Sequence, residues 1–452
     1  MHENIHEIDA DRFESVVLKA PLAVVDFYSD ECPPCEALAP KFEALAGLYG
    51  KDVAFVKIFR QKNRSLAESL GVRGSPTVLF FKDGERVGPM LSGGIRRSAL
   101  QAELDAMVGA SRAQQIRSSE SKTETVCDLL VVGAGPAGLT AALYAAQAKK
   151  SVIVVDSALA GGAMGATHQI ANYPGFAKPV PGWQLAENFR EQAAHAGVQW
   201  RLASEITRLD LGERLAVVDR LETIRAKKLV LAMGTTPRAI GVPGEKELLG
   251  KGISTCATCD AKYMVGKDVI VVGGGDAALE ESQLIAQFAD SVTIVHRRDE
   301  FRAKPQHVEA AKANPKISFV LDTKPTGFWK NGDMLDVELE SVKTGEKTRR
   351  TVGGVFLFVG MLPNLDLAKD KLELDEDGTV KVDEWRRTSI PHVYAVGDLV
   401  KKPVKQVTMA VADGTVAGID AARTIDHEAV MGDEPPCEIC PPALQELGCV
   451  QI

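Results

Sequence analysis

Two stretches of this chain repeat one pattern: DLLVVGAGPAGLTAALYAA at 128–146 and DVIVVGGGDAALEESQLIA at 268–286. Each reads as a buried strand, a glycine turn and a helix. Gly133, Gly135 and Gly138 complete a G-x-G-x-x-G turn, and Gly273, Gly275 and Ala278 give the G-x-G-x-x-A form. The first glycine makes the tight turn, the second lets the backbone approach a pyrophosphate, and the third lets the helix pack on the strand. The helix N-terminus then holds the anion. A single such turn could belong to an ordinary α/β core. Two in the same context predict an α/β chain with two Rossmann-like dinucleotide sites, one at Gly133, Gly135, Pro136, Ala137 and Gly138, the other at Gly273, Gly275, Asp276, Ala277 and Ala278.

The strand after each turn separates their ligands. SVIVVDS ends on Asp156, twenty-three positions after Gly133, where a carboxylate accepts from a ribose hydroxyl; that suits FAD or NAD. In the second repeat the same offset from Gly273 lands on His296, followed by Arg297 and Arg298, with Arg302 close behind. Guanidinium forks match a 2′-phosphate that a carboxylate would repel, so this site should prefer NADPH to NADH. A solvated run of surface charge is the plainer reading of His-Arg-Arg, and the shared offset argues against it.

Eight cysteines include three C-x-x-C pairs: Cys32/Cys35, Cys256/Cys259 and Cys437/Cys440. In an intracellular chain this spacing reads as redox chemistry or metal. Cys256 and Cys259 are followed by Asp260, a carboxylate able to supply or accept the exchange proton. Zinc needs four ligands, and no second pair lies nearby in sequence, so a redox disulfide is the expectation and no metal is required. Cys32 follows a strand and opens a helix-like stretch, which places it at a helix N-terminus where thiolate is stabilised. Asp26, in the middle of that strand, is either a buried proton carrier for Cys35 or the strand's solvent-facing residue. The tail holds Cys437, Cys440 and Cys449, readable as an extra redox relay, as a metal site with His427, or as inert. Cys127 begins a buried strand and reads as packing.

Of the 452 residues, 45% are apolar and 25% charged, and the net charge is -8. That balance argues against nucleic acid, whose binding needs clustered Lys and Arg. No run approaches the roughly 20 apolar residues of a membrane helix. The start, MHENIHEIDADRF, shows neither basic head nor apolar core of an export signal, which leaves the cytoplasm as the expected compartment. Residues 1–108 read as a small α/β unit. Residues 109–125, GASRAQQIRSSESKTET, are polar and Ser-rich and read as a flexible linker, with a span of roughly 20 to 25 Å.

The first 108 residues resemble thioredoxin, through VVDFYSDECPPC and GVRGSPTVLFF in order and spacing. The resemblance implies Cys32 as attacking thiol, Cys35 as resolving thiol and Pro76 as a cis-proline facing the disulfide. Glu31 and Pro33-Pro34 depart from the usual Trp and Gly-Pro. Residues 127 to about 430 resemble the low-molecular-weight thioredoxin reductases, through GAGPAG, CATCD, GGGDAA, HRRDEFR, YAVGDL and KQVTMAVADG. This resemblance implies FAD at the first turn, with Gly161, Gly162, Asn172, Gly397, Asp398, Gln406 and Val407 contributing, and NADPH at the second. It also implies Cys259 facing the flavin, Cys256 attacking the partner disulfide, and Asp260 as acid/base. Ala163 stands where Gln is usual and Lys405 where Arg is usual.

The implied organisation is a thioredoxin-like domain (1–108), the linker (109–125), FAD-binding segments at 126–242 and 353–430, an inserted NADPH-binding domain with the cysteine pair (243–352), and a cysteine-containing tail (431–452). The expected activity passes electrons from NADPH through FAD to Cys256/Cys259, then to Cys32/Cys35, then to outside disulfides, in a homodimer. A dedicated peroxiredoxin reductase is the enzymatic alternative. A flavin- or nucleotide-binding sensor without turnover is the non-enzymatic one, and intact cysteine pairs with Asp260 argue against it.

Overall fold

The computed structural model describes residues 4–167, 169–368 and 371–431. They form two compact units. The first runs to Met164, resumes over Leu185–Gly234 and continues from Leu365; the second takes Gly165–Gln184 and Thr235–Asn364.

The first unit opens with a five-stranded sheet in the order Ile5–Glu7, Ala54–Phe59, Leu22–Tyr28, Thr77–Lys82, Glu85–Ser92. The first three strands run parallel and the last two join antiparallel. Alternation along the strands supplies two cores. Val24, Phe55 and Phe80 pack on one face with Phe42 and Leu45 of the helix Pro33–Tyr49, while Val25, Val56 and Leu79 pack on the other. This is a thioredoxin fold.

The stretch expected as a flexible linker is ordered. Residues Ala110–Ser118 form a helix and Thr123–Val132 a strand. Composition hid the helix because its apolar face is only Ala113 and Ile116, three positions apart and both buried. Ion pairs of Arg112 with Asp52 (2.9 Å) and Arg117 with Asp105 (3.0 Å) fasten it to the thioredoxin fold, and Arg97 holds Glu120 at 2.6 Å.

In the remainder of this unit, parallel strands Gln199–Arg201, Val152–Val155, Thr123–Val132 and Glu222–Leu231 lie side by side, with Val393–Ala395 parallel to the last. Leu215–Val218 and Ile206–Asp210 add an antiparallel edge. The helix Pro136–Gln147 packs against the 25-residue helix Val407–Met431. Gly414 and Gly418 make this crossing, since a Cβ there would stand 2.2 Å from Ala137 O and 2.6 Å from Ala141 O.

The second unit has an all-parallel sheet in the order Ile253–Ser254, Gly354–Phe358, Asp268–Gly273, Ser291–Val295, Ile317–Val320, plus an antiparallel ribbon of Thr323–Asn331, Met334–Ser341 and Lys347–Val352. It therefore reaches past the expected boundary at 352. The run GVFLF pairs with Asp268–Gly273, and an apolar strand does not announce from sequence which of two parallel sheets it will enter.

Candidate active site

Both glycine turns sit at the C-terminal ends of parallel strands and feed helices that begin at Pro136 and Asp276. A Cβ on Gly133 would lie 2.3 Å from Ala232 O, and one on Gly138 1.9 Å from Gly133 O; at Gly273 it would meet Phe358 O at 2.6 Å. At Gly135 and Gly275, by contrast, a Cβ would meet nothing within 4 Å. Packing thus demands the outer residues, and the middle glycine faces open space at a helix N-terminus, which is what a pyrophosphate requires. The donor sets fit FAD and NADPH on that ground.

Around the first turn, Asp156 is held by two backbone N–H groups, Ala134 N to Oδ2 (2.7 Å) and Ala158 N to Oδ1 (2.8 Å). Burial raises its pKa, and those two donors oppose the rise. Gly161 N donates to Ala134 O at 2.7 Å, and a Cβ on Gly162 would come 3.2 Å from Gly135 Cα, so this pair lies against the turn. Gly397 has φ +73° and donates its N–H to Asp413 Oδ2 at 3.0 Å. Asp413 is fully buried between Lys402 and Arg386, whose Nε lies 2.9 Å from its Oδ1. In the sequence Asp413 is one acid within KQVTMAVADG, with no local feature that gives it a role; in the fold it is the post that fixes the Gly397-Asp398 turn. Burial raises the pKa of Asp398, with Lys405 and Lys402 opposing. Val407 begins the long helix, so Gln406 and Val407 stand at a helix N-terminus. Asn172 is exposed on the segment that groups with the second unit.

At the second turn the structure divides the expected basic cluster. Arg297, Arg298 and Arg302 are exposed. His296 is 6% exposed, stacks on Phe301 and sits so close to the turn that a Cβ on Gly274 would fall 2.2 Å from its Cε1. Burial lowers its pKa, three arginines add to that effect, and Glu300 O opposes it. The buried ring is a wedge under the glycine turn, while the three arginines face outward. The sequence offset located His296 without showing which way its side chain points.

The two cysteine pairs are built alike. Cys32 and Cys256 are each the N-cap of a helix, each pair is closed as a disulfide, and the second cysteine's N–H lies 3.3 Å (Cys35) or 3.2 Å (Cys259) from the first sulfur. Ser75-Pro76 is cis, and Ser75 O lies 3.5 Å from Cys32 Sγ, which puts this turn beside the disulfide. Asp26 is 2% exposed, which discards the solvent-facing alternative. Among the described residues its Oδ1 is buried with no hydrogen-bond partner, and burial lifts its pKa to about 7 against the pull of Lys57. Asp260 is partly exposed and anchored by Ser254, whose Oγ donates to Asp260 Oδ2 at 2.5 Å and accepts from Cys256 N at 3.1 Å. Ser254, two residues before the cysteine, was legible as a residue but not as a partner. Cys127 is buried and its thiol is pushed up to about 12, chiefly by burial, which keeps it protonated. Cys437, Cys440 and Cys449 lie outside the described residues.

Two dinucleotide turns with a reducible cysteine pair define a nucleotide-dependent disulfide reductase. The family model for pyridine nucleotide-disulphide oxidoreductases matches residues 127–414, and that for thioredoxin matches residues 4–106. Over 310 residues the chain is 42% identical to a thioredoxin reductase of Mycolicibacterium smegmatis, covering 68% of this chain and 99% of the relative. Over 318 residues it is 40% identical to a bifunctional thioredoxin reductase/thioredoxin of Mycobacterium leprae, covering 70% and 69%. The crystal structure of a thioredoxin reductase from Streptococcus pyogenes superposes with a TM-score of 0.62 at 37% identity, over 67% of this chain and 99% of that one. The chain belongs to the thioredoxin reductase family of these oxidoreductases and carries a thioredoxin domain in front of its reductase part. It is an FAD- and NADPH-dependent thioredoxin-disulfide reductase. Among the described residues, no helix is long and apolar enough to cross a membrane.

Proposed function

We propose that the chain is an internal relay: reducing equivalents from NADPH open Cys256–Cys259, then Cys32–Cys35, then an outside protein disulfide. The observation that carries this reading is the pair of like-built disulfides on one chain that also bears two dinucleotide turns. FAD, held by Gly133, Gly135, Gly138, Asp156, Gly397 and Asp398, supplies two-electron transfer from the nicotinamide to a disulfide when bound. NADPH is held by Gly273, Gly275 and Ala278, with Arg297, Arg298 and Arg302 on its 2′-phosphate.

In the exchange, the Cys256 thiolate attacks Cys32 Sγ, so that a Cys256–Cys32 bond forms as Cys32–Cys35 breaks and Cys35 leaves as thiolate. Cys259 then attacks Cys256, closing the reductase disulfide and leaving the thioredoxin pair as two thiols. Asp260, held by Ser254, moves the proton at the reductase pair, and Asp26 takes that role for Cys35. The acceptors we assign are disulfide proteins, peroxiredoxins among them, in the cytoplasm, and the resemblance supports a homodimer.

Anaerobic titration of the holoenzyme with NADPH tests the relay. Cys32→Ser should take up one two-electron equivalent fewer than the native chain, with flavin bleaching intact, while reduction of insulin disulfides stops. Undiminished insulin reduction would overturn it. In the same preparation, replacing both Arg297 and Arg298 by Ala should raise KM for NADPH about a hundredfold and leave that for NADH unchanged, since two charge-assisted contacts are lost.

A further inference from the structure

The thioredoxin fold and the FAD-binding sheet lie in one compact unit, and one lysine joins them. Lys41, in the third turn of the helix that starts beside Cys32, is 8% exposed. Its Nζ donates to Leu202 O (2.6 Å) and Ala203 O (2.8 Å) of the FAD-binding part and to Ile95 O (3.3 Å) of its own domain. Three donors meet three carbonyls, so the ammonium is fully satisfied across the junction. Arg190 pairs with Glu36 at 3.3 Å, and Arg96 Nε donates to Ser157 O at 3.2 Å. A Cβ on Gly94 would come 3.2 Å from Leu159 Cγ, so the two surfaces touch there as well.

We propose that this strip of the FAD-binding part is a docking seat for the chain's own thioredoxin domain, latched by Lys41, and that the seated domain withholds its disulfide from outside proteins until it leaves. The contacts fall on the face that carries the disulfide: Glu36 and Lys41 are on the helix capped by Cys32, and the loop of Gly94 and Arg96 adjoins Pro76 through Gly93 N to Pro76 O at 3.3 Å. An outside protein reaching Cys32 along Pro76 and that loop competes with the seat for the same ground. A partly open cavity of about 300 Å³ also lies at the junction, with Pro33, Pro40, Ala44, Trp200, Val218 and Leu221 among the residues that line it. A junction left partly unfilled binds less firmly than a closed core, which suits reversible docking. Because the helix Ala110–Ser118 and Glu120 are tied to the thioredoxin fold, rotation is confined to Ser121 and Lys122, which keeps the departing domain near its seat.

The kinetic half of this inference rests on the relay; the scattering half does not, so the two can fail separately. Lys41→Met keeps the apolar stem and removes all three donors. In the full-length holoenzyme it should enlarge the radius of gyration in solution scattering, speed insulin reduction severalfold and leave flavin reduction by NADPH unchanged. Gly94→Cys combined with Leu159→Cys should do the reverse: once cross-linked, it should keep the native radius and lose insulin reduction at least tenfold. An unchanged radius in Lys41→Met, a slower insulin rate in that variant, or a cross-linked form that still reduces insulin at the native rate would overturn the proposal.

Discussion

The Cys32/Cys35 and Cys256/Cys259 pairs share spacing, capping and the N–H contact to the leading sulfur, yet their acids are handled in opposite ways. Asp26 is sealed in the thioredoxin core with one oxygen lacking a partner, so burial alone carries its pKa to about 7. Asp260 is partly exposed and fixed by the Ser254 hydroxyl. Beside one pair stands a carboxyl whose pKa burial raises, and beside the other a carboxylate held in place by a hydroxyl. A C-x-x-C motif therefore specifies sulfur geometry and leaves proton traffic to the surroundings.

The largest effect should come from breaking the order of the two pairs. Cys256→Ser should prevent NADPH from opening Cys32–Cys35 at all, a loss of about a thousandfold or more in thiol formation, whereas Cys32→Ser leaves Cys256–Cys259 reducible. Thiol counting after anaerobic NADPH addition distinguishes them, and equal losses in both would erase the order. Next, Asp260→Asn should slow disulfide opening on the order of a hundredfold in stopped-flow measurements, as expected for removing an acid/base, and a native rate would take Asp260 out of the proton path.

Asp26→Asn probes the other acid through stability. The folded pKa, about 7, lies above the ordinary 3.8, so the native state keeps a proton that the unfolded chain releases between those values. Native stability therefore falls as pH rises from about 4 to about 7 and levels off above. Asn removes that slope, so at pH 8 the variant's thioredoxin domain should be about 2 to 4 kcal/mol more stable, measured by urea titration at pH 4 and pH 8. A gap that fails to widen with pH would show that Asp26 does not hold the proton. Ser254→Ala should have the smallest effect, about a fivefold fall in rate from one lost hydrogen bond, with a shifted pH optimum; a fall without any shift would make Ser254 merely structural.

Short-range features were readable in the chain itself. The glycine turns, the strand that precedes each and the cysteine spacing are carried by short motifs: a left-handed or crowded backbone position favours glycine, and two sulfurs three positions apart at a helix start can bond. Long-range features were not. The helix Ala110–Ser118 depends on carboxylates of Asp52 and Asp105, contributed from elsewhere in the sequence. The inward turn of His296 depends on the space above Gly274, and the placement of Gly354–Phe358 on its two partners, Ile253–Ser254 and Asp268–Gly273, both far away in sequence.

Sequence by itself determined the fold family, the two nucleotide turns and the two reducible pairs, because those are written in local sterics and spacing. Tertiary structure alone decided that Asp26 is buried without a partner, that Ser254 holds Asp260, that Asp413 fixes the Gly397 turn, and that Lys41 reaches the carbonyls of Leu202 and Ala203. Each of these is a hydrogen bond or a desolvation whose other party is fixed only once the chain has folded, and no spacing rule carries that information.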